Sequence, residues 1–216
     1  IRRQTGSQHV DFFTADLSLL SETRRLAMDF LRRYDRLHVL INNAGAVFVR
    51  REETREGLEK TLALNHLSPF LLTHQLLDVL QASAPARIIN VSSNAHHMAR
   101  MRFDDLQCQR GYRGWIAYAQ SKLANIYFTV GLAGMLDAQR VTANVLHPGF
   151  VATNFGRSNG GIFKPFFALT QLVALSPQEG AQTSIYLAAS PEVESVSGKY
   201  FSKCRQAAPS AAAEDL

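Results

Sequence analysis

Tyr118 and Lys122 stand four residues apart in YAQSK, with only small or polar residues between them, at the head of the apolar run LANIYFTVGLAGML. On a helix two such positions lie about 40° apart and share a face. With Tyr118 as origin, Leu123, Tyr127 and Val130 fall between about 120° and 180°, the stripe that would face a core. The pair therefore belongs to a rim. Two readings follow: a snorkelling surface pair, or an acid–base couple. A free phenol ionises near pH ~10, so proton transfer at neutral pH needs about 4 kcal/mol of help. A lysine charge at about 4 Å, in an effective dielectric of ~20, supplies about that much. The magnitudes permit the chemistry.

The elements that must position this pair alternate. VDFFTA (10–15) is a short β-rich run ending at Asp16, and LSLLSETRRLAMDFLRRY (17–34) has helical spacing. LHVLI (37–41) is a second apolar strand that stops at NNAG (42–45), and a long helix is expected from Thr54 to Leu80, across Pro69. ARIINVSS (86–93) is a third strand; after the YAQSK helix come the strand VTANVL (141–146), which stops at HPG (147–149), the helix PQEGAQTSIYLAAS (177–190) and the strand SGKYF (197–201). Alternation of this kind predicts an α/β, doubly wound, mostly parallel sheet with right-handed crossovers. The strands are continuously apolar, as strands buried on both faces are. Asp16, NNAG, SS and HPG each follow a strand, the edge where open α/β sheets bind ligands.

The chain has 216 residues, 46% hydrophobic and 19% charged, which suits a single domain with a real core. The net charge of +5 is spread over mixed-sign stretches such as RRLAMDFLRRYDR (24–36) and VRREETRE (49–56). These read as solvated helix faces, not as a nucleic-acid surface. Cys108 and Cys204 are isolated, so no disulfide framework is expected and a reducing, cytoplasmic setting is the default. The longest apolar stretch, PFFALTQLVAL (165–175), falls short of the ~20 residues a membrane span needs. No signal peptide is visible, although the chain starts at Ile1 and not at methionine. His66, His96, His97 and His147 show no metal-binding spacing and are read as loop or pocket-edge residues.

NNAG, LNH, NVSS, YAQSK and HPGFVATN, in this order, resemble the short-chain dehydrogenase/reductases, and NHLSPFLLT, APARIINVSSNAHH, SKLAN and GAQTSIYL…SGKYF are similar to their retinol-dehydrogenase-like members. The resemblance implies a Rossmann-type fold and an NAD(P)-dependent oxidoreductase interconverting a carbonyl and an alcohol, with NADP favoured over NAD. It implies Tyr118 as acid/base, Lys122 as the group that lowers its pKa and holds the nicotinamide ribose, Ser93 on the substrate oxygen, and Asn65 in a proton relay. Asn42, Ala44 and Gly45 would line the cofactor, with Asp16 near the adenine and Pro148, Gly149, Val151 and Thr153 on the nicotinamide side. Ser92 is read as structural, and Asp16 equally as the start of the following helix, with Ser18 as its N-cap. Residues 154–175, with Gly160-Gly161 and four phenylalanines, match the family's substrate lid, expected to close over an apolar aldehyde, ketone or alcohol; the alternative is core packing or a homo-oligomer contact.

The family's glycine-rich TGxxxGIG phosphate turn occurs nowhere in the sequence. The expectation is therefore an incomplete sheet lacking its first two strands, with weak dinucleotide binding. Three alternatives stay beside the reductase reading: sugar-nucleotide epimerisation on the same scaffold, a non-catalytic NAD(P)-binding or scaffold protein, and an inactive fragment. Retention of Ser93, Tyr118 and Lys122 together speaks against the scaffold reading.

Overall fold

The computed structural model describes residues 2–149 and 175–214. Helix α1 (Leu20–Arg33) leads into strand β1 (Val39–Asn42). Helix α2 runs from Lys60–Leu62 through a π turn at Ala63–Leu67 into Ser68–Gln75, and α3 is Leu77–Ala82. Strand β2 (Ala86–Val91), the 22-residue helix α4 (Gly114–Met135) and strand β3 (Val141–His147) follow. Helix α5 (Pro177–Ala189), strands β4 (Tyr200–Ser202) and β5 (Arg205–Gln206), and the short α6 (Ala211–Glu214) complete the described chain. The sheet order is β1-β2-β3-β4-β5, parallel except for β5, which turns back against β4.

Alternation along the central strands divides the core. Ile88 and Ala143 face a cluster with Ala27 of α1, Val79 and Leu80 of α3, and Leu132 of α4. Ile89 and Leu146 face the opposite side, against Leu187 of α5 and Phe201 of β4. Both sheet faces are thus covered by helix, and even the polar residues Asn90, Thr142 and Asn144 of β2 and β3 are buried. Polar side chains that are buried form a chain of their own: Asn42 Nδ2 donates to Thr73 Oγ1 (2.9 Å) and Asn90 Oδ1 (2.8 Å), and Asn90 Nδ2 donates to Thr129 Oγ1 (2.9 Å). This ladder joins α2, β1, β2 and α4 at one level of the sheet.

The structure corrects three expectations. Residues 10–15 form no strand; they lie along α1 instead. Arg25 Nη2 donates to Thr14 O (2.7 Å), Asp11 takes the Tyr34 hydroxyl and the Arg33 guanidinium, and Phe13 meets Tyr34 edge-on at 6.4 Å. Strand β1 is the edge of the sheet on that side, with a ladder to β2, and the run at 10–15 does not pair with it, so its β propensity goes unused. The helix expected from Thr54 begins only at Lys60, because 53–59 make a turn closed by a Glu53–Glu59 bridge. There the Glu59 carboxylate accepts from Thr61 N (2.8 Å) and Leu62 N (2.7 Å) and caps α2. Likewise Glu56, not Ser18, caps α1, accepting from Leu20 N (2.7 Å) and Ser21 N (3.0 Å).

The start of α4 is fixed by contact. Gly114, its first residue, lies so close to the segment after β1 that a Cβ there would sit 2.8 Å from Val49 Cα and collide with Phe48 O. Tyr112 locks the same place by donating its hydroxyl to Phe48 O (2.8 Å). Gly114→Ala is expected to lower unfolding stability by about 1–3 kcal/mol through overpacking against backbone. Denaturant unfolding of the variant checks this, and an unchanged midpoint would contradict it.

Candidate active site

The site is built where β2 and β3 end. Ser93 follows β2 in extended backbone and starts a 3₁₀ turn at Asn94–Met98, its Oγ accepting from Ala95 N (3.2 Å). Tyr118, one turn into α4, is 6% exposed, with the Ser93 side chain near enough to act on its phenol. Lys122, one turn further, is 3% exposed, with Nζ donating to Val91 O (2.9 Å) at the last residue of β2 and lying 5.7 Å from the Tyr118 ring centroid. Ser92 Oγ donates to Lys122 O (2.7 Å), which fixes the helix to the strand end and makes Ser92 structural. The rim position expected from helical spacing is corrected: both side chains are buried, more deeply than Tyr127 and Val130 of the apolar stripe, with the lysine folded beneath the phenol.

Asn65 sits in the π turn of α2 and is fully buried. Pro69, four residues on, has no N–H to offer Asn65 O. Asn125 Nδ2 supplies that hydrogen bond instead (2.9 Å), and also approaches Val91 O (3.4 Å). The Asn65 side chain accepts from Ala46 N (2.9 Å) and donates to Ala46 O (2.9 Å) and Ser121 Oγ (3.0 Å). It thereby ties the loop after β1 to α4. Gly45 lies in that loop against both functional groups: a Cβ there would be 3.1 Å from Lys122 Nζ and 3.2 Å from Asn65 Oδ1.

Burial sets the electrostatics. It pushes the Tyr118 phenol up to about 12, against a smaller downward pull from the Ser93 hydrogen bond. Burial alone brings the Lys122 ammonium down to about 8. The expectation that Lys122 acidifies the phenol is thus reversed in the protein by itself. Both side chains leave water together, and burial disfavours the charged form of each. At pH 7 the phenol holds its proton and the amine its charge.

The remaining sequence candidates divide. Ala44 and Gly45 lie exposed at the end of β1, beside Lys122. Asn42 turns inward, committed to Thr73 and Asn90. The Asp16 carboxylate accepts from Ser18 N (3.0 Å) and Ser18 Oγ (2.7 Å), which closes a turn before α1 and does not start the helix. Pro148 and Gly149 follow β3, and Gly149 has φ +88° with Leu175 Cδ1 2.5 Å from where a Cβ would stand. Val151, Thr153 and the lid at 154–174 lie outside the described residues. Sequence reasoning gave Asn125 no role of its own. Its signal was a lone amide inside SKLANIYF, seven residues after Tyr118 and so on the same helical face.

The doubly wound, mostly parallel sheet thus gathers a tyrosine, a lysine and a serine at its strand ends. The short chain dehydrogenase family profile matches residues 1–160, and this chain belongs to that family. It is 47% identical to human retinol dehydrogenase 14 over 194 residues, covering 88% of this chain and 58% of that one. The chain thus spans a little over half the length of that relative. Among solved structures, an uncharacterised protein from Mycobacterium paratuberculosis superposes with a TM-score of 0.73 at 29% identity, over 98% of this chain and 72% of that one. The NADP complex of RhlG from Pseudomonas aeruginosa gives 0.64 at 29% identity, over 88% and 72%.

Asn65→Ala removes three hydrogen bonds and leaves both backbone groups of Ala46 unpaired on that side. It is expected to cost about 2–4 kcal/mol of unfolding free energy. Thermal or denaturant unfolding measures this, and a loss below about 0.5 kcal/mol would remove Asn65 from its tying role.

Proposed function

We propose that the site interconverts a carbonyl and an alcohol, with a nicotinamide dinucleotide as hydride carrier and an apolar aldehyde, ketone or retinol-like alcohol as substrate. The observation that carries this reading is the gathering of the buried Tyr118 phenol, the Ser93 hydroxyl and the buried Lys122 at the end of β2. The residues at the strand ends suit the nicotinamide end of such a carrier. Gly45 keeps the space over Lys122 Nζ and Asn65 Oδ1 free of a side chain, and Gly149 takes a backbone conformation that other residues rarely adopt. Lys122 would hold ribose hydroxyls, with Ala44 and Gly45 beside them and Pro148, Gly149, Val151 and Thr153 on the nicotinamide side. Asn42 would line the pocket by backbone only, and Asp16 would stand towards the adenine.

When bound, the carrier supplies or accepts the hydride. In reduction, the Tyr118 O–H donates to the substrate carbonyl oxygen and Ser93 Oγ–H donates to the same oxygen, so the two neighbouring hydroxyls turn onto one acceptor. The proton moves from Tyr118 as negative charge develops on that oxygen, and the Lys122 charge beneath stabilises the phenolate left behind. In oxidation each proton runs backwards. NADP is the favoured carrier, supported by the family resemblance and by the NADP complex of RhlG. The apolar substrate is supported by the similarity to retinol dehydrogenase 14. Among the described residues no helix is long and apolar enough to cross a membrane.

A non-catalytic reading is favoured by one observation, the lack of a TGxxxGIG turn in the 216 residues. Reduction of a long-chain aldehyde, followed by NADPH consumption, separates the two. Turnover that falls by a factor of about 10² or more in Tyr118→Phe, with NADPH affinity unchanged, supports the enzyme. Turnover equal in wild type and Tyr118→Phe, or absent from both, would contradict it.

A further inference from the structure

His96 and His147 take no part in the chemistry above, yet both rings hold the turn that carries Ser93. His96 is fully buried, packed against His97 (ring centroids 4.1 Å) and Tyr200 (5.2 Å). Its Nδ1 lies 2.6 Å from Ser93 O, and its Nε2 accepts the Ser210 N–H at 2.9 Å. A backbone N–H can only donate, so Nε2 carries no proton. The neutral ring keeps its proton on Nδ1 and gives it to Ser93 O. His147, the last residue of β3, accepts the Asn94 N–H on Nδ1 at 3.1 Å, so its proton sits on Nε2. The two imidazoles thus grip consecutive residues of one turn in opposite tautomers, and each needs a bare nitrogen to do so. Protonation of either ring sets an N–H against a backbone N–H.

The partners on the far side are structural. Ser210 precedes α6, which packs Ala213 against Ala119, Leu123 and Ile126 of the active-site helix, and Tyr127 donates its hydroxyl to Ala212 O. Among the described residues, the ionisable groups on the elements around the two rings are His97 on the turn itself, Tyr118, Lys122 and Tyr127 on α4, Tyr200 on β4 and Glu214 on α6. Glu214, the one carboxylate among them, is exposed. Burial lowers the pKa of both rings; His97 adds to this at His96, and His96 and His97 add to it at His147.

We propose that His96 and His147 are positioning residues that clamp the Ser93 turn between β3 and the segment entering α6, and that acid releases the clamp and with it Ser93. The role given to Ser93 rests on the proposed function, whereas the clamp stands on the hydrogen bonds. Because both rings are held below the ordinary imidazole range, the clamp is whole above about pH 6.5 and is lost as pH falls through the lower folded values.

Nitrogen-15 NMR of the imidazoles and hydrogen exchange of two amides test this in the intact chain. At about pH 7.5, His96 is expected as the Nδ1–H tautomer and His147 as the Nε2–H tautomer. Lowering the pH to about 5 should cut the protection of the Ser210 and Asn94 amides by about tenfold, after correction for intrinsic exchange. His147→Asn places a carbonyl oxygen near the former Nδ1 and cannot titrate, so Asn94 protection should persist at acid pH; His147→Ala should lose it at every pH. In carbonyl reduction, the acid limb of kcat should move to lower pH in His147→Asn. Matching tautomers, pH-independent exchange of both amides, or identical Asn94 protection in the two variants would overturn the clamp. A clamp observed without turnover would instead overturn the oxidoreductase reading.

Discussion

The hydrogen bond from Lys122 Nζ to Val91 O places a buried ammonium at the end of the central strand, and much of the site exists to hold it there. An ammonium taken out of water without a carboxylate partner is costly. The structure offsets that cost with a strand-end carbonyl, and Asn125 and Asn65 brace the walls. Ser92 anchors the lysine's own backbone to the strand. The phenol of Tyr118 then finds itself between a desolvated cation and the Ser93 hydroxyl. A proton leaving the phenol leaves an anion that meets this cation, a charge pairing that the resting protein lacks.

Proline and glycine fix the walls in ways that side-chain chemistry alone would not. Pro69 withholds an amide from Asn65 O, and the π turn and the Asn125 amide settle around that gap. Gly114 lets α4 begin against the Phe48–Val49 backbone, so the loop that carries Gly45 and the helix that carries Tyr118 are set by one contact. The Asn42–Asn90–Thr129 ladder repeats the coupling one layer deeper. Loop, strand end and helix therefore move as one body, which suits a site whose two hydroxyls must converge on a single atom.

Much of this was legible in the sequence. Tyr118 and Lys122 stood at helical spacing off the apolar stripe, Ser93 followed a strand, and NNAG and HPG marked the same edge. The parallel sheet followed from strands without polar alternation, and β2 and β3 form where expected. What was not legible depends on neighbours. Residues 10–15 have strand composition but do not pair with β1, and they lie along α1. Asn42 resembles a cofactor contact in NNAG, yet its amide is spent on Thr73 and Asn90, partners 31 and 48 residues away. The direction of the phenol shift was misjudged because a pairwise charge calculation omits the desolvation that both groups suffer. The histidines looked peripheral because nothing local announces that Ser210, 114 residues on, will meet His96.

The most direct test of the account is a pH titration of the Tyr118 ring by carbon-13 NMR in the protein without dinucleotide. Burial beside a lysine that is itself desolvated predicts a phenol still protonated at about pH 10 and ionising near about 12. Ionisation below about pH 9 would show that the lysine charge dominates in the resting protein and would contradict the account.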